Sequence, residues 1–399
     1  MAESHIGIWL IGAKGGVATT TIMGLCALKK GLIGTAGLVS SLPQFQHLQM
    51  PDWNQFVVAG HDIRSVPLVE EAGRLVTESH TVRPEMIDQC REELARIDRR
   101  IRPGTLQKVG PTITELADAQ IPGDRSPRHC VDRLRGDLAE FAEAENLDHV
   151  VVVNVASTEP AVEMDLIAPR WAELQPLLDR PNECPLPASS LYAIAALQSG
   201  NSYVNFTPSL GSAPPAIDEL ARLNGTRHVG CDGKTGETLL KSVLAPMFAR
   251  RNLQVMSWVG HNIFGNLDGK VLDDPVNKQT KLQSKDRLLH EILDSRPQTH
   301  VSIEYIESLG DWKTAWDHVH FRGFLGVPMA LQFTWQGCDS VLAAPLVLDL
   351  VRFTEAARRR GQTGLLNFLA SFFKSPLGVS EHRFDRQFRM LENWAADKR

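Results

Sequence analysis

The fold class this 399-residue sequence predicts is a doubly wound α/β parallel sheet. Three observations predict it. Short apolar runs rich in β-branched residues stop at glycine or a small polar turn, as in "IGIWLIG" (6–12) and "LDHVVVVNVASTEP" (147–160), which is how strands buried on both faces read. Stretches with helical spacing alternate with those runs. Glycine-rich turns stand where strands hand over to helices, "IGAKGGVATTT" (11–21) and "GCDGKTGET" (230–238). In such folds ligands bind beyond the carboxyl ends of the strands, which puts residues 12–21, Asp62 and residues 157–159 on one rim.

The elements follow in order. After the first strand, Ile22, Leu25, Leu28 and Leu32 have helical spacing, and glycines beyond Lys30 stop the helix. "QFVVAGHDI" (55–63) reads as a strand ending at polar Asp62. Residues from about 70 to 102 are charged and helical. Ser189 and Ser190 start a helix that ends at Gly200, before the strand "SYVNF". "RHVGCDGKTGETLLKSVLAPMFARRN" is strand, turn and helix. Residues 254–272 hold a strand and then a turn at 266–269. A basic helix and the strand "HVSIEYIE" come next. "MALQFTWQGCDSVLAAPLVLDL" is a strand running into a helix that Asp339 or Ser340 can cap. A helical pair carrying "NFLASFFKSPL" closes the chain.

Bulk properties exclude several classes. The apolar fraction is 43% and the charged fraction 22%, ordinary for a globular chain, and the net charge of −5 offers no field for nucleic acid or acidic membrane. Cys26, Cys90, Cys130, Cys184, Cys231 and Cys338 are scattered without a CxxC pair, so neither a metal site nor a disulfide framework is expected. The N-terminus lacks the pattern of a secretory signal. The longest charge-poor stretch, 324–348, is broken by proline, glycine and polar residues and does not suit a membrane span. A cytoplasmic protein is expected.

The first glycine loop admits two ligand readings and one without a ligand. A phosphate loop of the GxxxxGK[ST] type needs its lysine at the β- and γ-phosphates, but Ala18 and Thr19 stand at the Gly-Lys positions. Lys14 lies where ATPases with "KGGVGKTT" carry an additional lysine. A dinucleotide turn needs close-packing glycines and then a small residue. Gly12, Gly15 and Ala18 supply G-x-x-G-x-x-A, one residue longer than usual. A plain strand-to-helix turn has the same spacing. In "GCDGKTGET", Lys234, Thr235 and Thr238 among three glycines suit an anion at a helix start, or a surface turn. Lys281 and Lys285 lie four apart on one helical face, with Lys278 nearby. They are solvated, or partly desolvated and able to act as acid or base. Lys313 in "GDWK", Asp339 in "GCDS" and Lys374 in "FFKSP" each sit beside apolar residues, as candidates for burial or as caps and snorkelling side chains.

In chain order these pieces resemble the myo-inositol-1-phosphate synthase family, also called inositol-3-phosphate synthases. "GHDI" resembles its G-W-D-I and "ASTE" its A-N-T-E. "GCDGKTGETLLKSVL" resembles G-D-D-x-K-S-G-Q-T-x-x-K-S-V-L. "GNLDGKVL", "TKLQSK" and "GDWK" resemble G-N-N-D-G-x-N-L, S-K-E-I-S-K and G-D-S-K. "CDSVLAAPLVLDL" resembles E-D-S-L-L-A-A-P-I-I-L-D-L, and "FFKSPL" resembles W-L-K-A-P-L. Residues 64–147 carry little of the resemblance.

The resemblance implies a Rossmann-like NAD-binding domain, discontinuous over 1–238 and 340–399. It also implies a central α+β catalytic and oligomerisation domain over 239–339, in a homotetramer. It implies an isomerase that cyclises D-glucose 6-phosphate to 1D-myo-inositol 3-phosphate by oxidation at C5, enolisation, aldol closure and reduction. Lys281, Lys285, Lys313 and Lys374, with Asp268, Asp311 and Asp339, then correspond to the catalytic residues. Lys281 and Lys374 fall to proton transfers at the reacting oxygens, Lys285 mainly to phosphate, and Lys313 to the C5 oxygen. The cofactor falls to Gly12, Lys14, Gly15, Gly16, Val17, Ala18, Thr19, Asp62, Ile63, Ala156, Ser157, Thr158, Asp232, Asp268 and Asp339. The substrate phosphate falls to Thr235, Gly236, Glu237, Thr238, Leu272 and Lys285.

The chain departs from the pattern in three places. The family's glycine turn is commonly G-x-G-G-N-N-G, whereas Lys14, Gly16, Val17 and Ala18 replace its second glycine, both asparagines and last glycine. NAD remains the expected cofactor, with NADP as the alternative, and Lys14 either contacts the pyrophosphate or points into water. Glu237 stands at the glutamine, where a carboxylate beside a phosphate needs a partner such as Lys234. Leu267 replaces an asparagine. The alternative is a related carbocyclase acting on another hexose phosphate, such as fructose 6-phosphate.

Overall fold

β1 (Ile6–Ile11) buries all six of its residues and lies inside a seven-stranded sheet in the computed structural model, which describes residues 5–266, 289, 291–293 and 296–397. β2 (Phe56–Asp62) and β4 (His149–Asn154) flank it in parallel, with Ile6 opposite Phe56 on one side and His149 on the other. β3 (Ile101–Pro103) extends the sheet beyond β2. β5 (Ser202–Asn205), β6 (Arg227–Gly230) and β11 (Gly364–Leu365) extend it beyond β4. The order is β11-β6-β5-β4-β1-β2-β3, and every pairing is parallel.

Helices cover both faces. Among the described residues they are α1 (Gly16–Lys29), α2 (Leu68–Thr77), α3 (Pro84–Asp98), α4 (Pro111–Glu115), α5 (Pro127–Ala144) and α6 (Trp171–Leu174), followed by α7 (Ala188–Gln198), α8 (Pro215–Leu223), α9 (Gly236–Arg250), α10 (Asp339–Arg359) and α11 (Phe384–Ala396). Alternate residues of a strand point to opposite faces. Ile6, Ile8 and Leu10 therefore join Val151 and Val153 in a core with α1, α3 and α10. Trp9 and Ile11 join Val150 and Val152 in a second core with α5 and α7. The C-terminal α10 thus returns to the N-terminal sheet, contributing Val347, Leu350 and Phe353.

The second sheet has four strands, β7 (Gln254–Phe264), β8 (Gln298–Tyr305), β9 (Trp312–Arg322) and β10 (Pro328–Cys338), in the order β10-β9-β7-β8. β9 runs antiparallel to both neighbours, and β7 and β8 are parallel. One face packs on α9, with Val255, Trp258 and Val319 against Ala245 and Phe248.

Four expectations change. The helical region 70–102 is two helices and a strand, because Pro84 serves only as the first residue of a new helix. The segment "NFLASF" is a 3₁₀ turn (Asn367–Phe372). α10 has no cap from Asp339 or Ser340. It follows Cys338, and the Ser340 amide donates to Asp311 Oδ2 at 3.0 Å, so the cap comes from outside the helix. Finally, β9 was not expected as a strand.

Candidate active site

Leaving β1 at Ile11, the chain turns into α1 within four residues. Gly12 makes this possible with φ +81°. A Cβ there would lie 2.8 Å from Ala156 Cα, on the rim after β4, so only glycine allows this approach. The amides of Gly12 and Ala13 donate to His61 O at 2.9 and 3.1 Å, and Gly15 donates to Gly12 O at 2.9 Å. Asp62, at the end of β2, accepts the Lys14 amide at 2.6 Å and the Arg64 amide at 2.8 Å, which fixes the loop against the strand end.

Two features of this turn fit a bound anion. α1 begins after Gly15 with no side-chain cap, so its first-turn N–H groups face outward with the positive end of the helix dipole. Thr19 lines the adjoining cavity, and its buried Oγ1 has no hydrogen-bond partner among the described residues. A dinucleotide pyrophosphate suits such a helix start. The cavity has a volume of about 530 Å³, and the starts of α1, α7, α9 and α10 all contribute to its wall. Glu159 closes the start of α7, accepting the Ser189 amide at 2.8 Å and the Ser189 hydroxyl. Burial pushes the Glu159 carboxyl up to about 7.

The same cavity carries two lysines. Residues 232–234 and 372–374 are knitted by backbone bonds. Lys374 N donates to Asp232 O at 2.6 Å, Lys234 N donates to Phe372 O at 2.8 Å, and Gly233 bridges Phe373. This seam delivers Lys374 from the C-terminal part of the chain to Asp232, with Nζ donating to Oδ1 at 2.9 Å. Lys313 reaches in from β9, its Nζ 3.9 Å from Asp339 Oδ2 and 5.0 Å from the Phe264 ring centroid. Asp311 accepts Asn266 Nδ2 at 2.9 Å and Cys338 Sγ at 2.9 Å as well as the Ser340 amide. It therefore fastens the start of α10 to the second sheet.

Glu237 has a different partner from the one expected. Lys234 turns away to Gln387 Oε1 on α11, and burial pulls its amine down to about 7. Lys241, one helical turn on, donates to Glu237 Oε1 at 2.5 Å and lies 3.7 Å from Asp317 Oδ1. Trp258 Nε1 donates to the same Asp317 oxygen at 2.7 Å. The carboxylate beside the α9 start is thus matched by a buried ammonium.

The structure brings most of the sequence-derived residues to one cavity. Gly12, Gly15, Gly16, Val17, Thr19, Asp62, Ile63, Ala156, Ser157, Thr158, Asp232 and Asp339 line it, and so do Thr235, Glu237, Thr238, Asp311, Lys313 and Lys374. Ala18 packs into the core instead. Gly236, at φ +53°, forms the bend into α9. Lys14 does not reach the cavity wall: its Nζ pairs with Asp98 of α3 at 3.3 Å. Asp268, Leu272, Lys281 and Lys285 lie outside the described residues. Sequence reasoning missed Arg64, Tyr192, Thr207 and Ser340 as wall residues. Arg64 had a signal, a charge two residues past a strand end. Tyr192 had none, being one apolar residue inside a buried helix.

A model of an NAD-binding family, described as myo-inositol-1-phosphate synthase, matches residues 6–396. The chain belongs to this family. It is 31% identical over 414 aligned residues to inositol-3-phosphate synthase 1 of Bacteroides thetaiotaomicron, covering 98% of this chain and 95% of that protein. It is 32% identical over 283 residues to inositol-3-phosphate synthase 1 of Homo sapiens, covering 65% of this chain and about half (50%) of that longer protein. The crystal structure of inositol-3-phosphate synthase from Caenorhabditis elegans superposes with a TM-score of 0.87 at 23% identity, covering 98% of this chain and 85% of that one. That likeness establishes the family fold, seven-stranded parallel sheet and separate mixed sheet included. Membership of the family makes NAD the cofactor, in agreement with the uncapped α1 start and the Thr19 hydroxyl.

Proposed function

We propose that this chain cyclises D-glucose 6-phosphate to 1D-myo-inositol 3-phosphate. The observation that carries the reading is one cavity lined both by a dinucleotide turn and by Lys313, Lys374, Asp232, Asp339 and the α9 helix start. NAD, when bound, supplies reversible hydride transfer at C5. We assign its pyrophosphate to the amides at the start of α1 and its nicotinamide side to Asp232. The substrate phosphate falls to residues 235–238, where the α9 dipole favours a dianion and Lys241 offsets the Glu237 charge.

The chain's own groups carry the proton chemistry. Lys313 stabilises negative charge at the C5 oxygen, held in place by Asp339. Lys374, oriented by Asp232, moves a proton at the reacting oxygens. Lys281 shares that task and Lys285 supports the phosphate. Residues 1–238 and 340–399 form the cofactor domain, and 239–339 the catalytic and oligomerisation domain.

We further propose a homotetramer in the cytoplasm. Among the described residues no helix is long and apolar enough to cross a membrane, and all six cysteines are free thiols, as suits a reducing compartment. Between β9 and β10 the tip exposes Phe324 to 91% and Leu325 to 83%. Large side chains left in water at a protruding tip mark a contact surface.

The test is chemical. Denaturing the purified protein should release NAD, and incubation with glucose 6-phosphate should give a cyclitol monophosphate by ³¹P and ¹H NMR, with no cyclitol from fructose 6-phosphate. Carbocycle formation from fructose 6-phosphate alone would overturn the substrate assignment.

A further inference from the structure

A second cavity lies at the amino ends of β1 and β2, whereas the dinucleotide turn lies beyond the carboxyl end of β1. Its volume is about 410 Å³, inside the range of about 300–1,000 Å³ that small-molecule sites occupy. His5, just before β1, lines it with Phe56 and Val57, which open β2. No residue lines both cavities. α1 joins them, with Gly16 and Thr19 at one and Cys26 and Lys29 at the other.

Cations converge on this second cavity. Lys29 and Lys30 come from the end of α1, and Arg96 and Arg100 come from the end of α3 and the turn after it. Two carboxylates line it with them. Glu93 lies 2.8 Å from Arg96 and 3.8 Å from Lys29, and Glu145 lies 2.6 Å from Arg100. Neither carboxylate pairs with the exposed Lys30. The lining thus holds a surplus of two positive charges before His5 is counted.

Cations at the ends of α1 and α3 complement the helix dipoles, and Lys29 and Arg96, in the last turns, meet that need. Lys30 and Arg100 are additional. Lys29 Nζ is fixed at the strand end, donating to Phe56 O at 2.6 Å. Burial pulls its amine below the usual lysine range. Glu93 opposes that fall, and Arg100 and Arg96 add to it. The cations therefore crowd one another, a cost that a bound anion relieves.

We propose that this cavity is a binding site for a small anion bearing phosphate groups, with Lys30, Arg96 and Arg100 as its main donors. The proposal stands apart from the catalytic reading above. Guanidinium groups match phosphate oxygens two at a time, and the surplus of two positive charges suits a dianion. The flanking carboxylates hold the arginines in place and set a limit on how much negative charge the site accepts.

Equilibrium dialysis of the NAD-loaded full chain against ³²P-labelled pyrophosphate tests this, with glucose 6-phosphate in excess to occupy the substrate cavity. The variants are Lys30→Gln/Arg96→Gln and Glu145→Gln. Lys30 and Arg96 are exposed, so the double variant should melt, retain NAD and turn over as the wild type does. The wild type should bind an equivalent of pyrophosphate that the double variant lacks or holds at least about tenfold more weakly. Glu145→Gln, which frees Arg100, should bind it roughly threefold more tightly, an outcome that a merely structural charge cluster does not give. Identical isotherms for the wild type and the double variant, or weaker binding by Glu145→Gln, overturn the site.

Discussion

The two sheets of this molecule bury their residues by opposite rules. In the seven-stranded sheet β1 and β4 are covered on both faces and consist of unbroken buried runs. In the four-stranded sheet β9 turns Lys313, Ala315, Asp317, Val319 and Phe321 inward and Trp312, Thr314, Trp316, His318 and His320 outward. Its inner face includes charges because it meets the cavity and the Lys241 pair. Its outer face leaves Trp316 exposed, while Trp312 at one end donates to Ser79 O at 2.8 Å. The lesson is that hydropathy reports burial only where burial is against a core. Where one side meets a polar site and the other is largely exposed, the pattern inverts.

The comparison sharpens into four expectations, from largest to smallest. Lys374→Ala, at the seam between residues 232–234 and 372–374, should lower turnover by about 10³-fold while NAD still copurifies. Product NMR and cofactor release together check it, and near-normal turnover would remove Lys374 from the proton chemistry. Lys241→Met, under the small sheet, should destabilise by roughly 3–5 kcal/mol in urea melts because it strands buried carboxylate charge. Adding Glu237→Gln should recover part of that loss. Gly12→Ala, in the large sheet, forces a Cβ onto Ala156 at positive φ. A cost of about 1–3 kcal/mol and loss of copurifying NAD are expected, and a fully loaded variant would show that the turn tolerates a side chain.

The smallest effect concerns pH and lies far from the small sheet. Hydrogen bonds from His228 and Arg222 hold Asp218 down at about 2, from an ordinary 3.8. Its folded value is the lower one, so its stabilisation is full above about pH 4 and is lost as pH falls through 2. Asp218→Asn should therefore cost about 1 kcal/mol at pH 7, solvent screening included, with the gap to wild type narrowing between pH 4 and 3 in thermal melts. A gap constant over that range would contradict the assignment.

Much of the site was readable because its parts are local. The glycine turn, Asp62 at a strand end and the "ASTE" turn follow strands whose apolar runs announce them, and the α/β rule carries them to one rim. Less readable were contributions from inside helices and from β9. Tyr192 and Ser340 are ordinary helix residues until the fold aims them, and β9 carries its signal inverted.

The sequence by itself determined the large sheet, the two glycine-rich turns and the family chemistry, because apolar runs, glycine positions and motif order are properties of short segments. Only the tertiary structure decided the pairings. Lys14 turned to Asp98 rather than to a pyrophosphate or to water, Glu237 took Lys241 rather than Lys234, and Asp311 capped a helix that two adjacent residues were expected to cap. The physical reason is that a charge or an open helix end binds whichever group the packing delivers within about 3 Å. That delivery depends on where α3, α9 and β9 cross, which no short stretch of sequence encodes.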